Sequence, residues 1–163
     1  MDRPSHPDQP FHPDPDSAPP HKKVLGPVLG LDLGDARIGV AVSDPDRRLA
    51  VPVGTVHVGQ PPGELLAVAA LARERGATLI VLGLPLSLRG ERGDRSVHAE
   101  SFAEALRNVV DVPVQLHDER LSTVEAERAL AAAGRGRERR RAVDASAAAV
   151  ILQSWLDGQP SNG

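Results

Sequence analysis

Three carboxylate positions in this chain of 163 residues could do chemistry together: Asp32, the adjacent pair Asp118 and Glu119, and Asp144. Asp32 closes the apolar run Val28-Leu29-Gly30-Leu31, and Asp118-Glu119 follow a second apolar run, Val112 to Leu116. Asp144 opens a last helical stripe on its apolar side, with Ala147, Ala148, Ile151 and Trp155 at helical spacing behind it. Taken alone, an Asp at a strand end caps a turn as readily as it binds a ligand, and Asp144 could be a plain helix cap. Three carboxylates brought to one sheet end, however, repel one another, and a divalent cation resolves the repulsion. Hard oxygen ligands suit Mg²⁺ or Mn²⁺. Two such ions about 4 Å apart can activate an attacking water and stabilise the leaving oxygen of an in-line phosphodiester displacement. Residue types and spacing carry the case this far and do not name a substrate.

Other polar groups rank lower. Arg37 stands close to Asp32 and reads equally as a phosphate contact or as an ion pair with Asp35. Ser122 and Glu125 form a capping box, which accounts for both. His57, His98 and His117 lack ligand spacing and read as surface or structural residues. The segment Ser87 to Arg95, with Arg89, Arg92 and Arg95, suits a solvated connection or a substrate-contacting loop equally. RGRERRR at 135 to 141 has five Arg against one Glu. A run of this kind is commonly just solvated, but it precedes Asp144, and Arg139, Arg140 and Arg141 would suit bidentate phosphate contacts.

The elements that must position these groups follow from periodicity. Val28 to Asp32, a turn at Gly34-Asp35-Ala36 and the alternating strand Arg37 to Ser43 predict a hairpin. A third strand spans about Leu49 to Val56, and Pro62 opens a helix ending at Gly76. Thr78 to Leu82 is apolar on both faces, as a central parallel strand requires. A helix carrying Phe102, Ala103, Leu106 and Val110 on one face leads to strand five, Val112 to Leu116. A capped helix to Ala133, a basic linker and a helix from about Val143 to Leu156 complete the pattern. The result is an α/β domain over 24–158, with one mixed sheet of three antiparallel strands followed by parallel ones. Asp32 and Asp118 both fall at carboxyl ends of strands, where such sheets bind ligands.

Composition sets the outer limits. A hydrophobic content of 40% suffices for one core, built without aromatics beyond Phe11, Phe102 and Trp155. That scarcity argues against a stacking platform for bases. With no Cys, any metal must be held by oxygen or imidazole. No apolar run approaches the roughly 20 residues of a spanning helix, and residues 1–23 lack the apolar core of a secretion signal, so a cytoplasmic protein without membrane contact is expected. Those 23 residues, rich in Pro, Asp and His, are expected to be a disordered tail, as are residues 159–163 at the other end. The net charge of −3 gives no global attraction to nucleic acid, so phosphate binding must rest on local patches.

Four segments in order, GLDLGDARIGVAVSD at 30–44, VLGLPLSLRGERGDRS at 81–96, LHDERLSTVEAERAL at 116–130 and VDASAAAVILQSWLD at 143–157, resemble the YqgF family, also called RuvX. Its members are described as Holliday-junction resolvases and as nucleases that mature the 5′ end of pre-16S ribosomal RNA. The resemblance implies a ribonuclease H-like fold with helices on both faces of the sheet, and metal-binding acids at Asp32, at Asp118 or Glu119, and at Asp144. It also implies substrate-side roles for Arg37, Arg120 and Thr123. Many related nucleases supply an acid at the end of the fourth strand, where this chain has Gly83-Leu84-Pro85; the second acid must then come from strand five. Adjacent strand residues point to opposite faces, which leaves Asp118 and Glu119 as alternatives.

Two other functional classes compete. Asp32-Leu33-Gly34 before a hairpin resembles the first phosphate loop of actin-like and sugar-kinase ATPases, but that fold needs two lobes and a second phosphate loop, which this chain lacks. A nucleic-acid-binding factor in transcription or ribosome assembly would not need the acids. The expected partner is therefore nucleic acid, either a ribosomal RNA precursor or branched DNA. A junction with two-fold symmetry would favour a homodimer and an RNA precursor would be served by a monomer.

Overall fold

The computed structural model describes residues 25–87, 89–121 and 137–160. The expected N-terminal tail, the capping box at Ser122 and Glu125, Thr123 and residues 161–163 lie outside the described residues. Five strands, β1 (Val28–Leu33), β2 (Arg37–Ser43), β3 (Ala50–His57), β4 (Leu79–Leu84) and β5 (Val114–Asp118), form one sheet in the order β3-β2-β1-β4-β5. β1 pairs antiparallel with β2 and β2 with β3; β1 and β4, and β4 and β5, run parallel. The described helices are α1 (Gly63–Glu74), α2 (Asp94–Arg107) and α3 (Arg137–Asp157).

Two apolar layers cover the two faces of the sheet. On one, Leu29 and Leu31 of β1, Ile38 and Val40 of β2, and Ile80 and Leu82 of β4 pack against Val68 and Ala72 of α1 and Ala99, Phe102, Ala103 and Leu106 of α2. On the other, Val28, Ala41, Leu79 and Val81 meet Ala148, Leu152, Trp155 and Leu156 of α3. Burial on both faces explains why β1 and β4 read as continuous apolar runs rather than as alternating ones. The mixed sheet with helices on both faces is the ribonuclease H-like layout expected from the sequence.

The boundaries differ in two places that matter. β5 begins at Val114, not Val112, because Pro113 has no N–H to give a ladder and contributes only its carbonyl, which accepts from Ile80 N at 3.0 Å. The last helix starts at Arg137 instead of Val143. The described part of the expected basic linker, from Arg137, thus forms its first two turns, and Asp144, the eighth residue of α3, does not cap the helix. Arg and Glu are good helix formers, so RERRRA continues the helix rather than interrupting it. Smaller shifts occur elsewhere: Val110 lies beyond the end of α2, yet still packs on the core.

Candidate active site

Strand parity sorts the acids by face. In β1, Val28, Gly30 and Asp32 point toward α3, while Leu29, Leu31 and Leu33 point toward α1 and α2. Asp32 is only 4% exposed. Its cross-strand neighbours are both glycines: it pairs with Gly39 of β2, and the parallel register that joins Leu31 to Leu82 brings Gly83 of β4 beside it on the other side.

Each glycine admits something that a side chain would block. A Cβ on Gly39 would run into the backbone carbonyl of Asp144, so the bare strand lets α3 come down onto β2 and brings the Asp144 backbone onto the strand that pairs with Asp32. A Cβ on Gly83 would lie 2.6 Å from Oε1 of Glu119 and 3.1 Å from its Cγ, so the Glu119 side chain folds back over β4. The Glu119 carboxylate and the backbone of Asp144 thus lie over the two strands that neighbour β1, one on each side of Asp32.

The same parity separates Asp118 from this group. In β5, Val114 and Leu116 face α1 and α2, and Asp118, paired with Leu84, falls on their face. Gln115 and His117 face α3, where Trp155 Nε1 donates to Gln115 Oε1 at 3.2 Å and His117 Nε2 shares a hydrogen bond of 3.0 Å with Ser154 Oγ. Glu119, at the first position of a short 3₁₀ turn, continues the α3-facing set and is 7% exposed. Asp118 is held by Arg120, whose Nε and Nη2 donate to Oδ2 at 2.9 and 2.6 Å. That guanidinium, opposed by partial burial, holds the Asp118 carboxyl below the ordinary 3.8. Burial in turn lowers the pKa of His117, against the attraction of Asp118.

Asp144 is paired as well. Arg37 Nε donates to Asp144 Oδ2 at 2.9 Å, so the expected ion pair of Arg37 is made with Asp144 and not with Asp35. Among the described residues, no three His, Asp or Glu side chains stand ready together as a metal-ligand cluster. The donor set nonetheless fits a hard divalent cation in kind, being all carboxylate oxygen, provided Asp144 turns from Arg37.

Beside the acids, Leu33, Gly34, Asp35, Gly83, Pro85, Asp94, Arg95, His98 and Glu119 line a cleft of about 190 Å³. Arg95 belongs to the first turn of α2 rather than to the preceding loop, and it faces the cleft. The connection before α2 is a turn, closed by Gly90 N to Ser87 O at 2.8 Å and by the pair Arg92 and Glu100. Arg89 is exposed on it, and the Arg120 guanidinium lies under Gly90. Arg139, Arg140 and Arg141 fall in the first two turns of α3.

Sequence reasoning passed over His98, Gly39 and Gly83. The signal for His98 was its place one helical turn after Asp94 and Arg95. For the glycines it was their position inside strands, where a glycine often marks a close approach.

A five-stranded mixed sheet in the order β3-β2-β1-β4-β5, with helices on both faces, defines a class, the ribonuclease H-like domains. The family model RuvX, described as Holliday junction resolvase, matches residues 26–158, and the chain belongs to that family. Curated relatives named "Putative pre-16S rRNA nuclease" include one from Mycolicibacterium paratuberculosis, 46% identical over 93% of this chain and 88% of its own length. Another, from Mycobacterium tuberculosis, is 48% identical over 89% of this chain and 86% of its own. A third, from Chloroflexus aurantiacus, is 41% identical over 83% and 89%. Among solved structures, T. thermophilus RuvC in complex with Holliday junction substrate aligns over 80% of this chain and 93% of its own, at 15% identity and a TM-score of 0.49.

Proposed function

We propose that this protein is a divalent-metal-dependent nuclease that hydrolyses phosphodiester bonds in the 5′-end maturation of pre-16S ribosomal RNA in the cytoplasm. The observation that carries the reading is the arrangement of Asp32, Glu119 and Asp144 on one face at the carboxyl end of β1, flanked by two glycines that let the outer acids approach. The name shared by the relatives supports the substrate.

In this mechanism Asp32, Glu119 and Asp144 would hold one or two Mg²⁺ or Mn²⁺ ions. When bound, such ions activate water and neutralise charge developing on the phosphate. Asp32 is fixed by its strand and Glu119 by its seat on β4. To serve as a ligand Asp144 would turn from Arg37, and the guanidinium would then be available to a phosphate oxygen. Arg95 binds an adjacent phosphate from the cleft. Arg120 and Arg89 contact the backbone further out, Thr123 and the run Arg139 to Arg141 are assigned to the same substrate side, and Asp118 anchors Arg120 instead of binding metal.

The test is a cleavage assay with Mg²⁺ or Mn²⁺ on a 5′-extended ribosomal RNA precursor and on a four-way DNA junction. Cleavage of the precursor at its 5′ side, with the junction left intact, is expected. Cleavage of the junction alone would favour the resolvase activity in the family's description. Binding without cleavage of either would make the protein a non-catalytic nucleic-acid factor.

A further inference from the structure

Gly83 occupies the place on the fourth strand where a side chain would meet Glu119, and the Glu119 carboxylate fills that place from the 3₁₀ turn after β5. We propose that Gly83 is a positioning residue: its bare backbone is the floor of the seat that holds the Glu119 carboxylate beside Asp32. This rests on the metal-binding reading of Glu119 given above.

A Cβ on Gly83 would meet three atoms of two side chains: Glu119 Oε1 at 2.6 Å, Glu119 Cγ at 3.1 Å and Ile151 Cδ1 at 2.8 Å. Oε1 and Cδ1, the two nearest, are ends of flexible chains, and none of the three nearest atoms is backbone. An added methyl group is therefore accommodated by displacing the carboxylate and shifting Ile151, with the strand left in place. At Gly39 the obstacle is the carbonyl of Asp144, so a side chain there must move α3 itself. The two glycines flank the same aspartate, yet only at Gly83 can the effect on the acid be separated from the effect on the fold. Gly83 also shares its register with His117, whose ring is tied to Ser154 of α3. The strand end is thus held by its pairing with β5, and the side chain of Glu119 is the part that yields.

Ala in a strand interior is no worse than Gly, which loses more backbone freedom on folding, so Gly83→Ala should hold or raise the metal-free Tm. Its Mn²⁺ Kd, read by calorimetric titration, should rise by about 10- to 100-fold, the size seen when the support of a metal ligand is removed. In a Glu119→Gln background the same substitution should change the Kd by less than about twofold, because Gly83 acts only through Glu119. Should Gly83→Ala fail to fold, the pair Gly83→Ala with Ile151→Val removes the Cδ1 obstacle and leaves the carboxylate contact as the variable. A parent-like Kd for Gly83→Ala, while Glu119→Gln loses affinity, would overturn the positioning role, as would additive losses in the double variant. If Glu119→Gln itself binds Mn²⁺ like the parent, the failure lies in the metal-binding reading.

Discussion

At Asp118 the carboxylate is already occupied by a two-pronged contact from Arg120, whereas the next residue, Glu119, is buried over Gly83 on the face that Asp32 shares. Asp118→Asn should therefore leave Mn²⁺ affinity within about threefold of the parent, and Glu119→Gln should weaken it by about tenfold or more, both read by calorimetry. The reverse ranking would return the ligand role to Asp118. The sequence identified the pair but did not choose between its members. Neighbouring strand residues take opposite faces, and β1 is apolar on both faces, so nothing in the run Val28 to Leu31 marks which side Asp32 joins. Leu152 above Gly30 and Asp144 above Gly39 settle the side, and both are contacts across more than 100 residues of chain.

Elements were easier to read than their ends. Apolar runs and turn residues located all five strands, most plainly β1, β2 and β4, which are largely buried; the two-residue shift of β5 came from treating Val112 as part of the ladder when Pro113 cannot donate. The early start of α3 was concealed by charge. RERRR has no apolar residue to show helical period, yet it lies in continuous helix, extending α3 by seven residues, roughly 10 Å, before Asp144. The turn from β2 to β3 offers a separate test of local design. Asp44 Oδ1 accepts from Arg48 N and Leu49 N, both at 2.8 Å, and the bond from Leu49 is the main cause of its lowered pKa. Because the folded pKa lies below the ordinary 3.8, this contribution is complete above that value and is lost as pH falls through the folded pKa. Asp44→Ala should cost about 1 kcal/mol in urea denaturation at pH 7. The difference from the parent should shrink at pH 3; a gap independent of pH would mean that the carboxylate charge plays no part.

Over the whole molecule the net charge of −3 conceals a strong local asymmetry, since five Arg and one Glu lie within residues 135–141. If α3 delivers these to phosphates, replacing Arg139, Arg140 and Arg141 by Ala should weaken binding to all sequences alike. The slope of log affinity against log salt should fall by about one unit for each phosphate no longer neutralised by an arginine. An unchanged slope would remove the basic run from the interface. If the acid site binds metal as a unit, the response of the entire fold to metal reports on it. The deciding measurement is Tm with and without saturating Mn²⁺ for the parent and for Asp32→Asn, run alongside cleavage of the RNA precursor. Binding to the native state adds RT ln(1 + [L]/Kd), about 2.7 kcal/mol at 100-fold excess over Kd, and only while the site is intact. Asp32→Asn keeps the shape and removes one of three neighbouring charges. The expected result is a metal-free Tm that holds or rises, a Mn²⁺ stabilisation that largely disappears, and cleavage reduced by orders of magnitude. A metal-free protein weakened by about 1 kcal/mol, with its Mn²⁺ response and cleavage intact, would show that Asp32 only caps a turn and would contradict a metal-binding acid site.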